Sequence, residues 1–305
     1  MSLSLLAAAA VLCYALYRFL NWFLTPIHAA RARAALEAED RRARETWLAA
    51  STSDAVHLSV VIPAYNERER LPVMLREAAA YLSAQSFAFE VLVVDDGSSD
   101  GTAGVAEALG RELFPGGELR AVVLARNRGK GGAVREGALR SRGAWVLVAD
   151  ADGATRFSDH ARLERAAMDK SAGVACGSRA HMVGTDAVAK RSALRNLLMR
   201  CFHVVVTVVG GVAGVEDTQC GFKLLSKRAS AAIFGALHIE RWAFDVELLY
   251  IAKRLGFPIA EVAVTWHEVA GSKIDIAADS IQMARDIACV RLAYLAGVWT
   301  LPDEF

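Results

Sequence analysis

From Leu58 onward the chain repeats one unit, a short run of strand-forming residues followed by a helical stretch, and each run ends on polar groups. Residues 58–64 read as a buried strand and 67–84 as a helix. The pattern returns as strand 91–95 with helix 101–113, strand 119–125 with helix 131–141, and strand 145–150. These runs are apolar at nearly every position rather than at alternate ones, so both of their faces must be covered. Repeated βα units of this kind predict an α/β fold: a Rossmann-like, mostly parallel sheet flanked by helices. In such sheets ligands gather beyond the carboxyl ends of the strands. There the sequence places Pro63, Tyr65, Asn66 and Glu67, then Asp95 and Asp96, then Arg126, Arg128 and Lys130, then Asp150, Ala151 and Asp152. A helix cap explains one such cluster; four at one rim define a candidate site.

Asp150-Ala151-Asp152 sets two carboxylates just past a buried strand. Hard divalent cations take oxygen ligands, and Mg2+ or Mn2+ commonly bridges one or two carboxylates to substrate phosphates. The alternative is an N-cap and a solvated turn residue before Gly153. In Asp95-Asp96-Gly97-Ser98-Ser99, Asp95 is the better candidate for a nucleobase or ribose contact, and Asp96 for a place nearer the metal and phosphates. The run from Asn127 to Gly132 opens a helix with Arg128 and Lys130 at its N-terminus, a setting that attracts phosphate, and its glycines allow close approach of a ligand. It lacks Walker A spacing, and no G-x-G-x-x-G follows the first strand, which argues against a dinucleotide fold.

Charge excludes other classes. Lys and Arg total 35 against 34 Asp and Glu, so nothing points to nucleic acid. Five widely spaced cysteines without a C-x-x-C pair argue against a disulfide framework or structural zinc and fit reduced thiols. The apolar fraction of 54% is high, and residues 3–24 carry much of it. Such a run has the length of a bilayer span, with Arg18 placed to snorkel and Tyr14, Tyr17 and Trp22 suited to the interface. A cleaved signal peptide is the rival, but no basic residues precede the run. The basic stretch after it places the remainder on the cytosolic side. The expected organisation is a transmembrane signal-anchor over 1–26, a helical linker over 27–56, a catalytic domain over 57–275 and an amphipathic C-terminal helix over 276–305. Leu194 to Gly210 and Ile281 to Leu301 are further apolar stripes, and interfacial contact, core packing or a homo-oligomer accounts for each.

The motifs V-V-I-P-A-Y-N-E from Val60, D-D-G-S-S-D-G-T from Asp95, N-R-G-K-G from Asn127 and D-A-D-G from Asp150 resemble family 2 glycosyltransferases of the GT-A fold. G-S-R-A-H from Gly177, D-T-Q-C-G-F-K-L from Asp217, E-R-W-A-F-D-V-E-L-L from Glu240 and the run from Trp266 to Lys273 resemble the members of that family that glucosylate dolichyl phosphate. The resemblance covers roughly residues 57–275. It implies inverting transfer of glucose from UDP-glucose to dolichyl phosphate, for N-glycan precursor assembly, by a single-pass protein of the endoplasmic reticulum membrane with its catalytic domain in the cytosol. Metal contacts then fall to Asp150 and Asp152, and nucleotide-sugar contacts to Pro63, Tyr65, Asn66, Glu67, Asp95, Asp96, Lys130 and Ala151. Two anionic substrates need cations, and Arg126, Arg128, Lys130, Arg179, Arg195 and Lys223 are the candidates, with Lys130, Arg179 and Lys223 foremost. Asp245 is either an orienting carboxylate or an ion-pair partner for Arg241. Transfer of mannose from GDP-mannose and a silent nucleotide-sugar-binding scaffold are the rival readings. The Q-x-x-R-W of processive synthases is absent, since His238 stands where Gln is needed.

Overall fold

The computed structural model describes residues 3–49, 55–182, 204–269, 271 and 276–302; for 3–11, 276 and 277 it describes the backbone alone. Seven strands form one sheet: β1 (Leu58–Ala64), β2 (Phe89–Asp95), β3 (Leu119–Val123), β4 (Trp145–Val148), β5 (Val174–Ser178), β6 (Lys223–Ser226) and β7 (Ile259–Ala263). Their spatial order is β3-β2-β1-β4-β6-β5-β7. All neighbours run parallel except β6, which is antiparallel to both β4 and β5. The mostly parallel, helix-flanked sheet expected from the sequence is therefore present.

β1 shows why the strands read as unbroken apolar runs. Leu58, Val60 and Ile62 lie in the core layer on one face, Val61 in the layer on the other, and all four are fully buried. Helices α4 (Leu71–Leu82), α5 (Thr102–Leu113) and α7 (His160–Asp169) contribute to the first layer, and α6 (Lys130–Ala138), α8 (Lys227–Ala236) and α9 (Phe244–Arg254) to the second. The expected start of α4 at Glu67 moves to Leu71, because Asn66 adopts a left-handed φ of 51° and its amide bonds to the Ser98 hydroxyl at 2.8 Å.

The antiparallel β6 matters most for the site. Its first residue, Lys223, lies opposite Val148 at the carboxyl end of β4 and opposite Cys176 on β5. A strand that begins where its neighbour ends delivers its N-terminal residues to the same rim.

At the N-terminus, α1 (Leu3–Phe23) leads through Leu24 into α2 (Thr25–Ala34) and then α3 (Glu37–Ala49). Among the described residues no helix is long and apolar enough to cross a membrane, so the expected spanning helix is not found there; the described side chains of α1, from Leu12 on, include Arg18 and Asn21. The segment expected as a helical linker packs on the domain: Ala30 belongs to the core, Ile27 and Trp47 pack against it, and Arg33 and Arg44 are buried. The C-terminal α10 (Ile276–Leu295) buries Met283, Ile287, Val290 and Ala293 in the core and exposes Ile281, Leu292 and Leu295. Of the stripe from Leu194 to Gly210, residues up to 203 lie outside the described residues; beyond them a π-helical turn, Val205–Val209, buries Val206 and exposes Val208.

Candidate active site

Three cation–carboxylate pairs meet where β4, β5 and β6 abut. Lys130, at the start of α6, reaches Asp150 beyond β4 at 2.7 Å. Burial opposes ionisation of both groups, but each holds the other charged: Asp150 stays below the usual carboxylate range and Lys130 above the usual amine range. Gly221 lies directly against the Asp150 carboxylate, and a side chain at that position would occupy the space of the carboxylate itself.

Lys223 is wholly buried and donates to the Cys220 carbonyl at 2.5 Å and to Asp245 at 2.6 Å. Desolvation works against its charge, and the Asp245 carboxylate overrides it, so the ammonium stays protonated. Asp245 is thus an ion-pair partner, but of Lys223 rather than of Arg241. The pair joins the first turn of α9 to the first residue of β6.

Arg179, just past β5, forms a two-pronged pair with Asp217 at 2.7 and 2.9 Å, and its own amide donates to the same carboxylate at 2.9 Å. Its guanidinium lies over the Trp266 ring, 5.6 Å from the centroid. The Asp217 amide is held in turn by Glu261 of β7 at 2.9 Å. Asp217, Glu261 and Trp266 carry no local periodicity that marks them; the D-T-Q-C-G-F-K run was the available signal for Asp217 and the run from Trp266 to Lys273 for Trp266.

Asp152 accepts the Ala154 amide at 3.0 Å, and the following loop is stitched to the segment after β7 by the Thr155–Trp266 bridge. Burial and the neighbouring Asp150 charge push the Asp152 carboxyl up. Arg70, which sequence reasoning passed over, is paired to Glu67 at 2.5 Å and lies within electrostatic reach of Asp152 and Asp150. In this cluster Lys130, Lys223 and Arg179 face Asp150, Asp152, Asp245 and Asp217, one carboxylate in excess.

Other expected residues take different places. Asp96 is almost fully buried, and its oxygens accept the amides of Arg128 and Gly129, each at 2.7 Å. It therefore caps the glycine-rich loop, and burial pushes its carboxyl up to about 6. The Asp95 carboxylate accepts the amide and hydroxyl of Ser98. Arg128 is committed to Asp40, Glu136 and Glu240. The glycines of this loop serve protein packing: a side chain at Gly129 would lie 2.7 Å from the Glu240 carbonyl, and one at Gly131 would lie 2.5 Å from Phe244. Pro63 is half-buried, Ala151 is buried, Tyr65 and Arg126 are exposed, and Arg195 lies outside the described residues.

The sheet order, the polar rim and the paired carboxylates beyond β4 define a GT-A glycosyltransferase. Residues 59–213 match glycosyl transferase family 2. The chain is 50% identical over 256 residues to the dolichyl-phosphate β-glucosyltransferase of Dictyostelium discoideum, covering 81% of this chain and 78% of that one. It is 47% identical over 268 residues to the human enzyme of that name, covering 85% and 82%. The chain belongs to the dolichyl-phosphate β-glucosyltransferases of glycosyl transferase family 2. The same fold is seen in glucosyl-3-phosphoglycerate synthase from Mycobacterium tuberculosis in complex with UDP, with a TM-score of 0.59 at 18% identity, over 85% of this chain and 84% of that one. A further structure of that synthase holds Mn2+, UDP and glucosyl-3-phosphoglycerate, with a TM-score of 0.52 at 18% identity, over 85% and 84%.

Proposed function

We propose that the chain transfers glucose from UDP-glucose to dolichyl phosphate with inversion, giving dolichyl β-D-glucosyl phosphate and UDP. The observation that carries this is the Lys130–Asp150–Asp152 cluster at the carboxyl end of β4, in a chain half identical to enzymes of that name. A phosphate oxygen of the acceptor attacks the anomeric carbon opposite the departing diphosphate, and the bond between that carbon and the diphosphate oxygen breaks. The attacking oxygen is already ionised at neutral pH, so no side chain must remove a proton. The site's tasks are alignment and charge compensation.

The donor set fits a divalent cation. The cluster carries one carboxylate in excess, and Asp152 is pushed toward protonation by burial and then by its neighbour Asp150, so a cation between the two carboxylates favours their charged forms. Two carboxylates plus substrate phosphates are the usual set for Mg2+ or Mn2+, and when bound the ion stabilises charge on the leaving diphosphate. Lys130 balances charge on the donor side, and Arg179, held flat by Asp217 and Trp266, presents a fixed cation toward the acceptor phosphate. Lys223, buried and neutralised by Asp245, ties the start of β6 to α9 beneath the rim.

The reading extends to membrane attachment through α1, with the exposed apolar residues of α10 and Val208 at the interface and the catalytic unit in the cytosol, at the endoplasmic reticulum. Exposed Tyr14, Tyr17 and Trp22 at the described end of α1 support it.

Purified protein in detergent, given dolichyl phosphate with UDP-glucose or GDP-mannose, tests the reaction. Lipid-linked sugar should form from UDP-glucose, with Mg2+ or Mn2+ and not with chelator, and Asp152→Ala should abolish it. Product from GDP-mannose alone would overturn the donor, and undiminished transfer under chelation would overturn the metal.

A further inference from the structure

The segment Thr25–Ala49 is joined to the catalytic domain by a buried ionic lattice rather than by apolar contact alone. Glu136 on α6 is its centre. The fully buried Glu136 carboxylate accepts from Arg44 at 3.1 Å, Arg128 at 3.0 Å and Arg135 at 3.3 Å, and also from Arg140. Glu37 of α3 pairs with Arg44 and with Arg135. Arg33 of α2 donates to the carbonyls of Leu237 at 2.8 Å and His238 at 3.3 Å. Four guanidiniums around one carboxylate need further anions close by, and α3 supplies two of them.

Arg128 connects this lattice to the site. Its guanidinium is shared among carboxylates from three parts of the chain: Asp40 at 3.1 Å, Glu136 at 3.0 Å and Glu240 at 2.6 Å. Its amide is fixed by Asp96, and two residues later Lys130 reaches Asp150. A shift of Arg128 therefore pulls directly on the backbone that aims Lys130. Asp40 is the most accessible of the three, with 27% of its side chain exposed against 22% for Glu240 and 1% for Glu136.

We propose that Asp40 is a positioning residue for the glycine-rich loop, so that α2 and α3 form part of the catalytic unit and help set the geometry of Lys130. The inference rests on the proposed place of Lys130, next to this loop, on the donor side of the site. Reversing the charge at Asp40 places a cation beside Arg128 while leaving the new side chain access to water. Displacements near 1 Å at a reacting centre cost up to about a hundredfold in rate.

The test compares wild type, Asp40→Lys and Asp40→Glu. Asp40→Lys should raise the KM for UDP-glucose about tenfold or more at closely similar thermal stability, and Asp40→Glu should restore it. Amide hydrogen exchange of residues 126–132, measured without any substrate, should accelerate in Asp40→Lys and not in Asp40→Glu. Unchanged exchange would overturn the proposal whatever the donor proves to be. A lowered melting temperature with wild-type KM and kcat in the folded protein would reduce Asp40 to a structural ion pair and overturn it equally. A wild type that transfers nothing from UDP-glucose counts against the proposed reaction alone, and the exchange measurement then decides the role of Asp40.

Discussion

Gly221→Ala isolates the placement of Asp150 from everything else in the molecule. Gly221 does not adopt a left-handed φ, so its backbone accepts alanine without strain. The added methyl would nevertheless lie 2.5 Å from Asp150 Oδ1 and closer still to the other two carboxylate atoms. Carbon and oxygen in contact need about 3.2 Å, and the nearer oxygen sets the requirement, so the carboxylate must move by more than about 1 Å. The carboxylate is the far end of a side chain, so it can swing aside at modest steric cost. Swinging aside lengthens the 2.7 Å contact to Lys130 and takes away one of the two proposed metal ligands. A misplacement of that size is worth up to about a hundredfold, or about 2.7 kcal/mol in the barrier. The expected outcome is a loss of kcat/KM of that order, with a melting temperature within a few degrees of wild type and weaker response to added Mn2+. Steady-state transfer kinetics beside thermal unfolding measure both halves. Full activity in a folded Gly221→Ala protein would refute a requirement for Asp150 at this position.

Other outcomes follow from buried charge. Asp245→Asn strands the Lys223 ammonium in the core and should destabilise by about 3 to 5 kcal/mol in denaturant unfolding, whereas a change under 1 kcal/mol would mean that Lys223 finds another partner. Asp96, with a carboxyl near 6 in the folded chain against 3.8 ordinarily, binds its proton more tightly folded than unfolded. Its contribution to stability is therefore complete below about pH 4 and is lost as pH rises through 6, a change of about 3 kcal/mol. The difference in unfolding free energy between wild type and Asp96→Asn should shrink by that order between pH 4 and 7; parallel curves would contradict the burial argument.

Much of this architecture was legible because strands and their ends are local features. The runs from Leu58, Val91, Leu119 and Trp145 became β1 to β4 within a few residues at each end, and the expected rim is where Lys130, Asp150 and Asp152 gather. What stayed hidden depends on residues far apart in sequence. Arg128 and Glu240 are separated by 112 positions, and Arg179 and Asp217 by 38, distances at which no periodicity registers a partner. The glycines of the N-R-G-K-G-G run resemble a ligand cradle in sequence, yet the lead-in to α9 fills the space beside them. Asp96 and Asp95 are adjacent and chemically identical, and only the fold separates a loop cap from a turn residue.

The docking of α2 and α3 also fixes the catalytic unit relative to the N-terminal helix. A flexible segment as long as Thr25–Ala49 would let a catalytic domain wander about 25 to 30 Å from its point of attachment, in any orientation. Here a single residue, Leu24, separates α1 from α2, and Arg285 of α10 donates to the Trp22 carbonyl at 3.4 Å. The rim at Asp150 is therefore held in one orientation relative to α1. Whatever meets α1 from outside thus meets a catalytic unit whose orientation is already set.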